Sequence, residues 1–176
     1  PNSYISAIVM VAALTGSRLN EIWGVMDEDY VRPQKGTNLG VLYIRKNTRR
    51  VNLKTKNSIR PFPVLPELGH WLEALLKVRR PKNSNTASSG TLAAIKRAGF
   101  TFGNHSLRHG FKQRLIEMDT PSDTINELCG WGAQRQQDAY GFKTVTARKA
   151  EAVRTIYQLF FDNDSNVIHV EFGTPN

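Results

Sequence analysis

The sequence has a single cysteine, Cys129, and no long hydrophobic run. One thiol excludes a disulfide within the chain and fits a reducing compartment, so we expect a cytoplasmic protein. The longest apolar run, residues 7–14, is far shorter than the roughly 18 residues that span a bilayer, and no basic segment precedes it as in a signal peptide. The sequence therefore predicts a protein without membrane contact.

The rest of the composition is ordinary for a folded domain. Of the 176 residues, 40% are hydrophobic and 22% are charged, which argues against disorder and against a fibrous repeat. The length corresponds to one domain. Because the chain begins at Pro1 rather than Met, we expect it to belong to a longer protein with an N-terminal domain ahead of it.

Acidic residues are missing from one segment. Residues 30–66 include nine basic residues and no acidic one, whereas the rest of the chain has 15 of each, so this segment carries the whole net charge of +9. Such a block favours a polyanionic partner, most simply nucleic acid, because cations that neutralise phosphates release counterions. A solubilising surface hairpin is the alternative.

Hydrophobic periodicity predicts an α+β domain that is predominantly α-helical, with one small three-stranded antiparallel sheet. The expected helices cover residues 4–14, a short stretch from Arg18, a stretch from Pro66 that ends before Pro81, and residues 91–98, 106–118, 121–128 and 146–161. The expected strands are residues 41–44, 51–53 and 59–64. The Ser-rich segment 82–90 is predicted to be a mobile loop, and the apolar residues 167–170 predict a strand in the tail.

A metal site is not expected. His105 and His109 have the spacing of a zinc pair, but Ser106 stands where a zinc protease would have its glutamate, and no third ligand is evident. The sequence also has no glycine-rich phosphate-binding loop. We therefore expect no metal and no cofactor, and any bound phosphate must be held by side chains.

Two short segments place an arginine at the start of a helix. His105 and Arg108 share one helix face, where an imidazole and a forked guanidinium can meet the same phosphate. Arg18 follows the turn Thr15-Gly16-Ser17 in a similar position. Each segment alone has a simpler interpretation: a solvated first turn for the former, and an ion pair between Arg18 and Glu21 for the latter.

Taken together, these pieces resemble the ordered motifs of the tyrosine recombinases, also called phage-type integrases. The motifs are Thr-Gly-x-Arg-x-x-Glu at 15–21, a hairpin lysine, His-x-x-Arg-His at 105–109, Gly130-Trp131 and finally Tyr140. Tyr140 follows Trp131 by nine residues, and Trp131 follows Arg108 by 23, as in the family. The resemblance covers residues 15 to about 157. It implies the recombinase catalytic-domain fold over residues 1–161, followed by a tail at 162–176, and it implies that the N-terminal domain expected ahead of the chain binds DNA.

The resemblance also implies a function and a set of catalytic residues. The function is site-specific cleavage and rejoining of DNA through a 3′-phosphotyrosine, without metal or cofactor, by the integrase of a phage or another mobile element. The implied catalytic residues are Arg18, Lys54, His105, Arg108, Trp131 and Tyr140. Lys56 competes with Lys54 for the hairpin position. Trp131 stands where most members have histidine, and an indole donates a hydrogen bond but cannot transfer a proton.

The implied partner is double-stranded DNA. The residues expected to grip its backbone are Arg45, Lys46, Arg49, Arg50 and Lys56. The family implies a homo-tetramer on two duplexes, and the tail strand is suited to exchange between protomers. Two other functions stay open: a type IB topoisomerase, which nicks and reseals DNA without choosing a site, and an inactive DNA-binding relative, in which Tyr140 is a surface aromatic and Trp131 only a core anchor.

Overall fold

The structure is a computed structural model, and it describes residues 3–53, 58–131 and 145–161. Within these ranges the helices are α1 (Tyr4–Thr15), α2 (Leu19–Trp23), α3 (Pro66–Lys77), α4 (Ser84–Arg97), α5 (Asn104–Glu117), α6 (Ser122–Cys129) and α7 (Ala147–Phe161). The strands are β1 (Tyr30–Val31), β2 (Gly40–Ile44) and β3 (Arg60–Val64). The expected class, mostly helical α+β with one three-stranded antiparallel sheet, is confirmed. The expected tail strand lies outside the described residues.

Helix α1 is the centre of the core because it is apolar on nearly every side. Ile8 and Val11 are fully buried, and the helix packs against α2, α3, α4 and α5. Its N-terminus is capped by Ser3, whose Oγ accepts a hydrogen bond from the Ser6 N–H at 3.2 Å. No helix in the described ranges is long and apolar enough to cross a bilayer.

The turn at Gly16 sends the chain from α1 directly into α2. Gly16 has a φ of 60°, a left-handed conformation that glycine adopts without steric cost. A Cβ at this position would lie 2.5 Å from Cδ1 of Phe111 on α5. The sharp turn and the close approach of α5 together place Arg18 at the N-cap of α2, beside the first half of α5.

The sheet has the order β1-β2-β3, with both pairs antiparallel. Leu42 in the middle strand lies opposite Tyr30 on one side and Phe62 on the other. Strand β3 is buried along its whole length, because α3, α6 and α7 all pack against it. This burial brings the first residue of β3, Arg60, into the interior.

The third strand is not the expected one. Residues 51–53 form no strand, and Val51 is 63% exposed. The chain just before them is held in a turn, in which Asn47 Oδ1 accepts hydrogen bonds from the backbone N–H groups of Arg49 and Arg50 at 3.0 and 2.6 Å. The sheet is completed by β1 instead, whose two residues are too few to show a period in the sequence.

The expected loop at residues 82–90 is also wrong, because helix α4 begins at Ser84. Serine and asparagine have low helix propensity. The loop was predicted because this segment is rich in them. Two local features outweigh that propensity: Asn83 Oδ1 caps the helix by accepting from the Thr86 N–H at 2.9 Å, and Ala87 and Thr91 are buried. Helix α4 therefore packs against α1 and α2 along its first turns.

Residues near both ends of helix α7 make polar contacts with other helices of the core. Near its start, Lys149 forms an ion pair of 2.6 Å with Glu127 on α6, and the lysine side chain is 2% exposed. Near its end, the buried Tyr157 hydroxyl donates to the Leu14 carbonyl oxygen on α1 at 2.9 Å. These contacts hold the C-terminal end of α1, and with it the turn that precedes Arg18, in a fixed position.

The corrected start of α4 gives a stability prediction. We expect Asn83→Ala to lower the free energy of unfolding by about 1 kcal/mol, because it removes the N-cap acceptor. Asn85→Ala, the same change at an exposed position inside the helix, should be neutral or slightly stabilising, since alanine is the better helix former. Denaturant unfolding of both variants checks this. Equal destabilisation would contradict a helix start at Ser84.

Candidate active site

Three arginines from distant parts of the sequence meet around one carboxylate. Arg18 comes from the start of α2, Arg60 from the start of β3, and Arg108 from the second turn of α5. The carboxylate is that of Glu21 on α2, which is 3% exposed. The sequence predicted that Arg18 and Arg108 act together, and Arg108 does contact the turn that precedes Arg18, at the Gly16 carbonyl. Arg60 was counted only as one charge of the basic segment.

Arg18 is held by Glu21 but remains open to solvent. Its Nη1 donates to Glu21 Oε1 at 2.7 Å and to Ser58 Oγ at 3.1 Å, and its backbone N–H donates to Glu21 Oε2 at 3.0 Å. The guanidinium is 21% exposed. The ion pair that looked like an alternative to a functional role is therefore present, and it orients Arg18 rather than burying it.

Arg60 is completely enclosed and fully hydrogen-bonded. Its guanidinium donates to Glu21 Oε2 at 3.1 Å and to Ser17 Oγ at 2.9 Å, and also to the carbonyl oxygens of Leu128 at 2.8 Å and Ser58 at 3.0 Å. It thus joins β3, the Gly16 turn, α2 and the end of α6. Only one sequence signal pointed to it: a charged residue at the start of an otherwise apolar strand.

Arg108 is buried among carbonyl groups and has no carboxylate of its own among the described residues. It donates to the carbonyl oxygens of Gly16, at 2.7 Å, and of Cys129, while its buried Nε has no hydrogen-bond partner in that set. Burial first, and the charge of Arg60 second, lower the pKa of the Arg108 guanidinium to about 10. It is therefore a charged group at pH 7 whose charge is incompletely compensated.

Trp131 covers this arginine. Its ring centroid lies 4.8 Å from Arg108 Cζ and 4.4 Å from Lys112 Nζ, so two cations face one indole. Arg108 is 1% exposed, and direct contact with a phosphate would require its cover to move. Trp131 also packs against the hydrophobic core, and its role as a donor to a phosphate stays a prediction.

The two histidines lie on the exposed surface of the first two turns of α5. The His105 and His109 rings are 4.8 Å apart, and His109 lies 6.2 Å from Trp131. His105 lies three residues before Arg108 on this helix, one turn away. Across the described ranges, no group of three or more histidine, cysteine, aspartate or glutamate side chains is arranged to hold a metal ion.

Three of the expected site residues, Lys54, Lys56 and Tyr140, lie outside the described residues. Cys129 does lie within them, at the end of α6, and is buried and free of any disulfide. Burial raises the pKa of its thiol, which fits the small hydrophobic role expected for it.

The expectation that Arg50 contacts the DNA backbone is wrong. Arg50 has no exposed side-chain surface and donates to Asp29 Oδ2 at 3.0 Å, and also to the carbonyl oxygens of Arg45 and Glu21. The reason is the fully buried carboxylate of Asp29, which requires a buried cation. Arg50 therefore anchors the loop after β2 to α2 and cannot reach a phosphate in this conformation.

The other described members of that set do reach the surface. Lys46 and Arg49 are exposed. Arg45 is half exposed, and its Nε donates to Asp29 Oδ1 at 2.9 Å. The loop after β2 therefore contains both structural and surface arginines, which the sequence alone does not separate.

Comparison of the chain with protein-family models, with curated proteins and with solved structures finds no match. Function is therefore inferred from the sequence motifs and from the geometry of the three arginines.

The ion pairs of Glu21 give a pH prediction. Burial alone would raise the pKa of the Glu21 carboxyl, but Arg60 and Arg18 outweigh it and hold that pKa below its ordinary value. A lowered pKa stabilises the folded state above the unfolded-state value of about 4.3, and this contribution is lost as the pH falls toward the folded-state value. We expect Glu21→Gln to cost about 3 kcal/mol at pH 7, with a smaller difference from wild type at pH 3.

The matched control is Glu117→Gln. Glu117 is half exposed and lies 3.6 Å from Arg114, so its loss should change stability by less than about 1 kcal/mol at either pH. Denaturant unfolding at pH 7 and pH 3 measures both variants. Equal costs for Glu21 and Glu117 would show that Glu21 is not the counter-charge of the cluster.

Proposed function

We propose that this chain is the catalytic domain of a tyrosine recombinase, an integrase that cleaves and rejoins DNA at a specific site through a 3′-phosphotyrosine. The observation that carries the proposal is the contact of Arg108 with the turn that precedes Arg18. These two arginines are 90 positions apart in the sequence, yet Arg108 donates to the carbonyl of Gly16, two residues before Arg18. Two of the motifs that resemble the family, at 15–21 and at 105–109, are thus in contact, which supports the proposal.

Phosphodiesters resist attack because they are anionic. A catalyst must neutralise the charge on the non-bridging oxygens as the five-coordinate transition state forms. The site offers three guanidinium groups against one carboxylate, so it keeps a positive surplus for an anion. In the proposed reaction Arg18 and Arg108 bind the phosphate oxygens, and Arg60 positions both of them through Glu21 and the end of α6.

The covalent step uses residues assigned by the resemblance. The phenolic oxygen of Tyr140 forms a bond to phosphorus while the bond to the 5′-oxygen breaks. The phenol proton passes to His105, and the leaving 5′-oxygen takes a proton from Lys54, with Lys56 as the alternative donor. Rejoining reverses these transfers, so the phosphotyrosine conserves the bond energy and no ATP is needed. Trp131 adds a neutral hydrogen-bond donor and moves no proton.

The wider assignment follows the same resemblance. The proposed enzyme acts in the cytoplasm of the host of a phage or another mobile element, as a homo-tetramer on two duplexes, with the tail at 162–176 exchanged between protomers. A type IB topoisomerase shares the covalent chemistry but does not choose a site, and an inactive relative would bind DNA without forming an adduct. Both alternatives differ from the proposal in a single assay.

The assay is covalent trapping on DNA. We expect the protein to form an adduct, seen on a denaturing gel, with a nicked suicide duplex that carries its site. Tyr140→Phe should abolish the adduct, whereas the matched change Tyr43→Phe, on strand β2, should leave it. No adduct with the wild type, or an adduct that survives Tyr140→Phe, would refute the tyrosine nucleophile. Equal adduct on random duplex would favour the topoisomerase.

The two site arginines should matter more for cleavage than for binding. Arg18→Lys keeps the charge but loses the forked donor, and we expect a single-turnover cleavage rate about 100-fold lower with a DNA Kd within about threefold of wild type. Arg114→Lys, on the exposed part of α5, should change neither quantity. Equal losses in rate and affinity for Arg18→Lys would make Arg18 a simple phosphate anchor.

A further inference from the structure

A second basic segment follows helix α3. Residues 77–82 include four basic residues, namely Lys77, Arg79, Arg80 and Lys82. In the sequence this segment belongs to the part of the chain with no net charge. The fold brings it against the loop after β2, so that Arg79 and Arg80 line an open groove of about 440 Å³ together with Arg49.

The groove is built on fixed elements. Arg80 Nη1 donates to the carbonyl oxygens of Trp23, the last residue of α2, at 3.2 Å, and of Val25, two residues beyond it. Arg49 and Arg79 are exposed. The remaining lining is largely apolar and includes Met26. Two surface arginines thus project from a rigid groove whose floor is attached to the helix that carries Arg18.

The acidic group in this groove does not neutralise them. Asp27 lines the groove, but its carboxylate accepts from Arg32 at 2.8 Å, and Arg32 also donates to Glu73 at 2.6 Å. Across the described ranges no ion pair joins Arg49 or Arg79 to a carboxylate. The groove therefore has a positive surplus that favours an anion.

A buried polar group lies close to the same arginines. The Tyr4 hydroxyl is buried and has no hydrogen-bond partner among the described residues. Burial raises the pKa of Tyr4, and the charges of Arg80 and Arg49 act in the opposite direction. Both arginines are thus near enough to Tyr4 to affect it electrostatically.

We propose that the groove between Arg49 and Arg79 binds the phosphate backbone of the DNA duplex beside the Arg18–Arg108 site. The inference rests on the proposed function for the identity of its ligand. Arginine forks suit phosphate oxygens, and contacts of this kind set position and affinity without reading sequence.

The spacing of the groove from the site suits a duplex. Helix α2 has five residues, each rising about 1.5 Å, and the three residues from Gly24 to Met26 add at most about 3.5 Å each. Arg18 and Met26 therefore lie within roughly 18 Å of each other. At 3.4 Å per base pair, the groove would meet the backbone within about five base pairs of the cleaved phosphate.

The salt dependence of DNA binding tests the groove directly. The double variant Arg49→Gln/Arg79→Gln removes both exposed charges, and Arg80 is left in place because it holds the carbonyls of α2. Each lost phosphate contact lowers the slope of log K against log salt by about 0.9, so the slope should fall by about 1.8. When salt is raised from 50 to 200 mM, duplex affinity should fall for both proteins. The factor by which it falls should be roughly ten times smaller for the double variant than for the wild type.

Two controls separate this inference from the proposed function. Arg114→Gln/Arg154→Gln removes two exposed charges on α5 and α7 and should leave the slope unchanged. Two results would overturn the proposal that the groove binds DNA: a wild-type slope in the Arg49/Arg79 variant, or an equal reduction of the slope in both double variants. Either result would count even if the wild type forms a covalent adduct. If the slope falls as expected while the wild type forms no adduct, the groove is supported and the proposed catalysis fails.

Discussion

The carboxylate of Glu21 is the charge on which the site depends. Arg18 and Arg60 both donate to it, and Arg50 donates to its backbone carbonyl. Buried ions are costly unless they are paired and hydrogen-bonded, so the chain can enclose Arg60 only where this carboxylate is present. Pairing then fixes the direction of Arg18, and Arg60 extends the same constraint to the end of α6. One acidic residue therefore determines where several basic residues lie.

The positive charge that Glu21 leaves uncompensated matters more for the site than the ion pairs of Glu21 themselves. Arg108 is surrounded by carbonyl oxygens rather than by a carboxylate, and its pKa is lowered by burial and by neighbouring positive charge. Folding thus maintains a cationic site that a phosphate would complete. In the proposed reaction the additional charge of the transition state meets Arg18, which is already oriented by Glu21, and Arg108 once its Trp131 cover moves. Burying Arg108 costs folding stability, and in the proposed reaction the buried charge stabilises the transition state.

Much of the fold could be predicted from the sequence, and the misses have physical causes. The end of α1 was predictable because Gly16 has a local conformational requirement, and the face shared by His105 and Arg108 followed from helix geometry. Strand β1 was missed because a strand of two residues is too short to show the alternation of apolar and polar side chains. The burial of Arg50 was missed because its partner, Asp29, is 21 positions earlier, and only the folded chain brings the two together.

Exposure, rather than net charge, separates the roles of the basic residues. The segment at 30–66 holds the whole charge surplus, yet two of its arginines, Arg50 and Arg60, are enclosed and structural. Conversely, Arg79 comes from the neutral remainder and lines the same groove as Arg49. Helix α2 connects the two surfaces: its start carries Arg18, and Arg80 donates to the carbonyl of Trp23 at its end. On the proposed function, a backbone held in the groove would be at a fixed distance from the reacting phosphate, so nonspecific binding and catalytic alignment would depend on the same short helix.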